Sequence, residues 1–147
     1  MKITLSVNDR SVDVDVAPST MLVDVLRDEL GITSARATCG VGLCGTCTVL
    51  LDGRPVSSCL LMAPLAIGKR ITTVEGLPDD DAVVRCFSER HAFQCGFCIP
   101  GMVLTARDMI DTGRANTPEE IREGLGGNLC RCGCYVKIVD AIEEAAR

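Results

Sequence analysis

The first half of the chain places apolar residues at every second position in several short segments, the period of a strand with one buried face. Asn8-Asp9 and Asp52-Gly53 lie between consecutive segments and predict the tight turns of two hairpins. Between the hairpins the apolar spacing becomes helical, with Ser19 or Thr20 as the predicted cap and Gly31 at the helix end. The predicted strands are residues 3–7, 12–16, 48–51, 54–57 and 70–74.

A polar segment divides the chain into two parts. The order strand, strand, helix, loop, hairpin, strand predicts a β-grasp domain over residues 1–74. Residues 75–81 hold Gly, Pro and three Asp, have little to bury, and predict a linker. Residues 82–147 predict an all-helical domain, so the fold class is α+β. Its four helices begin at Ala82, Pro100, Pro118 and Tyr135.

Composition narrows the function classes. The 147 residues are 47% hydrophobic and 24% charged, which is typical of a globular protein. A net charge of −5 argues against nucleic acid or an anionic membrane surface as partner, because both require basic residues. No apolar run approaches the roughly 18 residues of a membrane span. The amino terminus lacks the apolar region of a signal peptide, so we expect a cytoplasmic protein.

Ten cysteines are the most unusual feature of the composition. In a reducing compartment, grouped cysteines bind metal or perform redox chemistry more often than they form disulfides. The first set is Cys39-x4-Cys44-x2-Cys47, followed by Cys59. This is the plant-type [2Fe–2S] spacing, in which three thiolates on one loop and a fourth from elsewhere hold two irons.

Two other interpretations of this loop are weaker. Gly40, Gly42 and Gly45 match the G-x-G-x-x-G pattern of dinucleotide sites, but that pattern should follow a strand and open a helix. Here it follows a predicted helix and precedes a strand. Structural zinc favours two short C-x2-C pairs, which the 4–2–11 spacing does not resemble.

The second set is Cys95-x2-Cys98 and Cys130-x-Cys132. Both pairs precede predicted helices, whose amino termini favour thiolates and anionic clusters. Spacing alone leaves zinc open as an alternative here. A Rieske centre is excluded because it needs two histidines and the chain has only His91.

Three segments resemble a known family. The segments ATCGVGLCGTCTVLLDGRPVSSCLLMA, HAFQCGFCIPGM and GNLCRCGCYVKIVDAI are similar to the small iron–sulfur subunit of molybdenum hydroxylases. This is the xanthine oxidase family, which includes aldehyde oxidoreductases and carbon monoxide dehydrogenase. The resemblance covers nearly the whole chain, from Ile3 to Ile142.

The resemblance implies a plant-type ferredoxin-like β-grasp domain and a four-helix-bundle domain, each with one [2Fe–2S] cluster. It implies that electrons pass from molybdopterin in a large subunit through the helical-domain cluster and the β-grasp cluster to FAD in a medium subunit. It also implies a dimer of heterotrimers, with Cys132 and Gln94 near the molybdopterin. The implied ligands are Cys39, Cys44, Cys47 and Cys59 for the first cluster, and Cys95, Cys98, Cys130 and Cys132 for the second.

The chain departs from the family pattern at three positions. Gly133-Cys134 replaces the usual Thr-Gly, so Cys134 could serve as a ligand instead of Cys132; we favour Cys132 because it keeps the C-x-C spacing. Thr38 stands where the family often has Gly, and Cys86 where it often has Ala. We predict a small change of backbone or potential for Thr38 and a buried apolar role for Cys86.

The prediction is therefore an oxidoreductase subunit that conducts electrons and has no catalytic residues or substrate pocket of its own. A free-standing ferredoxin-type shuttle and a zinc-binding structural module are the alternatives. The apolar segment from Leu60 to Leu65 could contact a partner or pack between the two domains of this chain.

Overall fold

The computed structural model describes all 147 residues. A mixed five-stranded sheet forms from the first half, and the second half is helical. None of the helices is both long and apolar enough to cross a membrane. The strands are β1 (Lys2–Val7), β2 (Arg10–Asp15), β3 (Thr48–Leu51), β4 (Arg54–Ser57) and β5 (Arg70–Thr72); the helices are α1 (Leu22–Asp24), α2 (Ala82–Glu89), α3 (Ile99–Asp111), α4 (Pro118–Gly124) and α5 (Tyr135–Ala145).

The sheet has the strand order β2-β1-β5-β3-β4. β1 and β5 pair in parallel, and all other neighbours are antiparallel. Both predicted hairpins are confirmed. Asn8-Asp9 has φ values of 51° and 60°, and Asp52-Gly53 has 50° and 82°. Two positive φ angles in a two-residue turn match the twist of the flanking strands, so each turn fixes its hairpin's register.

The predicted helix after the first hairpin is shorter and less regular than expected. α1 begins at Leu22 with no side-chain cap, so the prediction of Ser19 or Thr20 as cap is wrong. The N–H groups of Leu22 and Val23 instead donate to the carbonyl oxygens of Leu61 (2.7 Å) and Ser58 (3.2 Å). Because the segment before β5 satisfies these donors, no cap is needed. The chain then continues as a π-helical stretch over Val25–Glu29.

Helices α2 to α5 enclose an apolar core of their own. The Asp81 carboxylate caps α2 by accepting from the N–H groups of Val83 and Val84, and the Thr117 hydroxyl caps α4. α2 ends at Glu89. On this helix Val83, Cys86 and Phe87 are buried, whereas the Val84 side chain is exposed. The buried apolar role predicted for Cys86 is confirmed.

The segment predicted as a linker is fastened to both halves. The Glu75 carboxylate accepts hydrogen bonds from the N–H and hydroxyl of Ser34 and from the Thr73 hydroxyl. At the other end, Asp81 is buried and pairs with Arg107 of α3 at 3.3 Å. The polar composition predicts a loosely held linker, but these carboxylates find donors far away in sequence. The division at residues 75–81 stays a prediction.

Candidate metal centre

The first cysteine loop wraps its backbone around the Cys39 sulfur. The N–H groups of Leu43 and Cys44 point at Cys39 Sγ from 3.4 and 3.5 Å. Gly40, Gly42 and Gly45 have positive φ, the conformation that turns successive N–H groups inward. Hydrogen bonds from the N–H groups of Val41, Cys44 and Leu43 lower the pKa of Cys39 to about 6. The loop is therefore built to hold a thiolate.

Cys47 and Cys59 complete this group from a buried position. Burial, together with the Cys47 thiol beside it, raises the pKa of Cys59 to about 11, against the opposing effect of the Gly42 N–H. The N–H and hydroxyl of Ser58 both donate to the Cys47 carbonyl oxygen, at 3.3 and 2.6 Å. These bonds hold the end of the hairpin against the cysteine loop, which places Cys59 beside Cys47 and near Cys39.

The second group forms where two segments of the helical half meet, one with Cys95 and Cys98 and the other with Cys130 and Cys132. Cys132 Sγ lies 3.6 Å from Cys95 Sγ, and Cys98 is the residue from which α3 begins. Burial first, and then the Cys130 thiol, raise the pKa of Cys98 to about 12. Although burial opposes it, backbone N–H groups led by that of Cys134 lower the pKa of Cys130. The four predicted ligands therefore lie around one site at the amino termini of α3 and α5.

The Tyr135 hydroxyl fixes the loop that carries Cys130. It accepts from the Cys130 N–H at 2.8 Å and donates to the Asn128 carbonyl oxygen at 2.9 Å. Cys134 is buried in the helical core as the residue before α5, and burial together with the Cys130 thiol raises its pKa. Gln94 Nε2 donates to the Cys132 carbonyl oxygen at 3.3 Å, so the two residues expected near a molybdopterin are in contact.

The donor set fits two [2Fe–2S] clusters. All ten cysteines are free thiols, and neighbouring thiols link eight of them into two groups of four. Each group offers the four thiolates that such a cluster needs, with backbone N–H groups directed at sulfur. No three His, Cys, Asp or Glu side chains are grouped as ligands of a single ion. A two-iron cluster does not require that grouping, since its four ligands are shared between two irons.

The two cysteine groups face each other across the contact between the halves of the chain. A cavity of about 400 Å³ is lined by Thr38, Cys44 and Thr46 from one side and by Cys95, Cys98 and Cys130 from the other. The Leu129 N–H donates to the Cys44 carbonyl oxygen at 2.9 Å. One hydrogen bond therefore joins the first cysteine loop to the residue that precedes Cys130.

Asn128 strengthens this contact, although no motif in the sequence indicates it. Its Nδ2 donates to the Gly45 carbonyl oxygen at 3.3 Å, and its Oδ1 accepts from the Thr105 hydroxyl at 3.0 Å. Arg36 makes a second connection that was missed. Its guanidinium donates to the Phe97 carbonyl oxygen at 2.6 Å and lies 4.8 Å from the centre of the Phe97 ring. Spacing gives no signal for either contact, because the partners are distant in sequence.

Each half of the chain matches a known protein family. A family model described as "2Fe-2S iron-sulfur cluster binding domain" matches residues 5–71, and one described as "[2Fe-2S] binding domain" matches residues 73–143. The nicotinate dehydrogenase small FeS subunit of Eubacterium barkeri is 40% identical over 146 residues, covering 97% of this chain and 93% of that protein. The chain belongs to the family of small [2Fe–2S] subunits of molybdenum hydroxylases. The prediction of two [2Fe–2S] clusters is thereby confirmed.

Two further proteins of the molybdenum hydroxylase family are similar to nearly the whole chain. The nicotine 6-hydroxylase small subunit of Paenarthrobacter nicotinovorans is 40% identical over 147 residues, covering 99% of this chain and 89% of that protein. In the crystal structure of quinoline 2-oxidoreductase from Pseudomonas putida 86, the matching chain superposes with a TM-score of 0.94 at 42% identity. That match covers 99% of this chain and 92% of the other. The predicted oxidoreductase subunit, an iron–sulfur electron carrier in a heteromeric enzyme, is confirmed at this level.

Proposed function

We propose that this chain carries electrons from molybdopterin in a large subunit, through the helical-domain cluster and then the β-grasp cluster, to FAD in a medium subunit. The observation that carries the proposal is the hydrogen bond from the Leu129 N–H to the Cys44 carbonyl oxygen. It lies between the two cysteine groups and offers a short route through covalent bonds and one hydrogen bond. A chain with two separate structural metal sites has no need of such a connection.

The proposed ligand sets follow the two groups of cysteines, one in each domain. We place the first domain over residues 1–74 and a four-helix-bundle domain over residues 82–147, with the linker at 75–81. When bound, each cluster supplies a one-electron carrier. Cys39, Cys44, Cys47 and Cys59 would hold the β-grasp cluster, and Cys95, Cys98, Cys130 and Cys132 the helical-domain cluster.

The protein's part is to stabilise thiolate and exclude water. The N–H groups around Cys39 donate to its sulfur, and the amino terminus of α3 directs its positive dipole end at the second site. Among the proposed ligands, Cys98 is buried in the helical core, and Cys47 and Cys59 are buried in the core of the other half. A dry, hydrogen-bonded environment sets the potential of a cluster and protects it from solvent.

Exposed apolar side chains near both sites support docking to partner subunits. Phe93 and Val136 line a small pocket together with Gln94 and Cys134, beside the second site. We propose that this surface contacts the large subunit, with Cys132 and Gln94 nearest the molybdopterin. An obligate interface of this kind excludes water from the electron path.

The other apolar surface surrounds the first cysteine loop. Val41 and Leu43 are about two-thirds exposed, and the exposed Leu60 side chain packs over Gly42 between them. We propose that Val41, Leu43 and Leu60 contact the FAD subunit. Leu60 and Leu65 are both more than half exposed, which favours the partner interpretation of that segment. A free-standing shuttle gains nothing from apolar surface at both sites.

We further propose a dimer of heterotrimers in the cytoplasm. The two cysteines outside the proposed ligand sets, Cys86 and Cys134, are free thiols, which is usual in a reducing compartment. The acidic net charge of −5 favours neither nucleic acid nor an anionic membrane as an additional partner.

The test is to express the chain together with the proteins encoded beside it and to purify it through a tag on this chain. We expect two larger chains, molybdenum, FAD, four irons per copy and two distinct electron paramagnetic resonance (EPR) signals after dithionite reduction. Purification of this chain alone with four irons would favour the free-standing shuttle. Two zinc ions and no signal would favour the structural module. Either result would overturn the proposed function.

A further inference from the structure

A buried threonine hydroxyl lies beside the cysteine that faces the second site. Thr46 Oγ1 is 3.2 Å from Cys44 Sγ and 2.9 Å from the Arg36 carbonyl oxygen. It is also 2.9 Å from the hydroxyl of Thr38. Thr46 is 5% exposed, so water does not compete for these contacts. Neither threonine is a cluster ligand, and the proposed function assigns them no role.

The number of hydrogens in this group determines what the hydroxyl can do. A threonine hydroxyl donates one hydrogen and accepts two. While Cys44 is a thiol, its S–H and the Thr38 hydroxyl can both donate to Thr46, whose own hydrogen goes to the Arg36 carbonyl. A ligating thiolate has no hydrogen and can only accept. A hydrogen bond to a charged acceptor is about twice as strong as one to a neutral carbonyl, which favours turning the Thr46 hydrogen to Cys44 Sγ.

We propose that Thr46, positioned by Thr38, donates a hydrogen bond to the ligand sulfur of Cys44 and so raises the reduction potential of the β-grasp cluster. The inference rests on the proposed function, in which this cluster receives electrons from the helical domain. Reduction adds negative charge, part of which resides on the sulfurs, so a donor to sulfur stabilises the reduced state. The Thr38 hydroxyl donates to the Thr46 oxygen, and this second hydrogen bond polarises the Thr46 hydroxyl and strengthens its bond to sulfur.

The proposed hydrogen bond from Thr46 to Cys44 lies on the side of the loop that faces the second site. Cys44 is the residue whose carbonyl oxygen accepts from the Leu129 N–H, on the side that faces the second site. Thr38, Cys44 and Thr46 all line the cavity between the two cysteine groups. A higher potential at this cluster favours electron transfer in the proposed direction. Glycine at position 38, the residue the family often has there, could not donate to Thr46.

The experiment is a redox titration followed by EPR on the complex assembled with its partner subunits. Thr46→Val removes the hydroxyl and nearly conserves the volume, and Thr46→Ser restores the donor. We expect Thr46→Val to make the β-grasp cluster about tenfold harder to reduce at a fixed potential, a shift of about 59 mV for a one-electron couple. Thr46→Ser should titrate like the wild type, and the helical-domain signal should not move in either variant.

Thr48→Val is the matched control. Thr48 is also buried, at the start of β3 directly after this loop, but its hydroxyl donates to the Gly45 carbonyl oxygen at 2.7 Å and makes no hydrogen bond to a sulfur. Equal shifts in Thr46→Val and Thr48→Val would overturn the proposal, since loop disturbance would then explain both. An unchanged potential in Thr46→Val carrying four irons would overturn it as well.

Thr38→Gly tests the second residue and is exposed, so it should assemble even if Thr46→Val loses iron. We expect a smaller shift in the same direction, about threefold in the ratio of reduced to oxidised cluster. An unchanged potential in this variant would overturn the proposed pair. A wild-type complex with fewer than two EPR signals would contradict the proposed function. Unchanged potentials in the variants contradict only the role of Thr46 and Thr38, so the two results can be told apart.

Discussion

Gly101 packs directly against the backbone of Gly45, so a Cβ at Gly101 would overlap the Gly45 carbonyl oxygen. Gly101 lies in the first turn of α3. Gly45 lies in the first cysteine loop, between Cys44 and Cys47. The absence of a side chain at position 101 therefore sets how closely the helical half approaches the first cysteine loop.

We predict that Gly101→Ala separates these elements and lowers the free energy of unfolding by about 1–3 kcal/mol, despite alanine's better helix propensity. Thermal unfolding of the cluster-loaded protein measures the loss. Gly126→Ala is the control, because nothing lies within 4 Å of an added Cβ there and its φ is not positive. Equal unfolding midpoints for the two variants would contradict the prediction.

Replacing Leu129 by Pro removes the N–H that donates to the Cys44 carbonyl oxygen. Asn128, with φ −122° and ψ 109°, already has the extended conformation required before proline. We expect four irons but slower electron transfer between the clusters, seen by freeze-quench EPR as delayed reduction of the β-grasp cluster. Leu129→Ala keeps the N–H and should transfer at the wild-type rate. Identical rates in all three proteins would show that the route does not use this bond.

Serine variants test the choice between Cys132 and Cys134 as ligand. Cys132 Sγ lies 3.6 Å from Cys95 Sγ, whereas Cys134 is buried in the helical core. We expect Cys132→Ser to lose the helical-domain EPR signal and two of the four irons, while Cys134→Ser retains both. Cys86→Ser, at a buried cysteine outside both groups, is the control for loss of a thiol. The reverse pattern would assign the ligand to Cys134.

Glu75 should make folding stability depend on pH. Burial opposes the shift, but hydrogen bonds from Ser34 and Thr73 outweigh it and lower the pKa of Glu75. A lowered native pKa gives stability that is fully present above the ordinary glutamate value of about 4.3 and is lost as pH falls through the native value. We expect Glu75→Gln to cost about 0.5–1 kcal/mol at pH 7, after screening by solvent.

Unfolding free energies of wild type and Glu75→Gln, measured from pH 7 to pH 3, check this expectation. The difference between them should shrink only below about pH 4.3 and approach zero at the acid end. The control is Glu123→Gln, an exposed carboxylate on α4. A constant difference over the whole range would show that Glu75 acts through its shape and not its charge.

The sequence predicted the hairpins and the helical segments because their signals are local. A two-residue turn such as Asp52-Gly53 specifies its own geometry, and Thr117-Pro118 marks the start of α4. The start of α1 could not be predicted in this way. Leu22 donates to Leu61, almost forty residues away, and no local pattern indicates that contact.

The candidate site shows the same division. Cysteine spacing indicated the segments Cys39–Cys47, Cys95–Cys98 and Cys130–Cys132, since each of them holds its cysteines within a few positions. The contact between the loops depends on pairs such as Asn128 with Gly45 and Arg36 with Phe97. Their members are separated by 83 and 61 positions, so only the folded chain brings them together.

The hydrogen bond between Leu129 and Cys44 has a consequence for how such enzymes can diversify. Both members of this contact belong to one chain. Any enzyme that contains this chain therefore keeps the same separation between the two redox centres. The apolar surfaces around Val41 and Val136 lie outside this contact. They can therefore change to suit new partner subunits, and with them a new substrate, while the contact between the two cysteine groups stays the same.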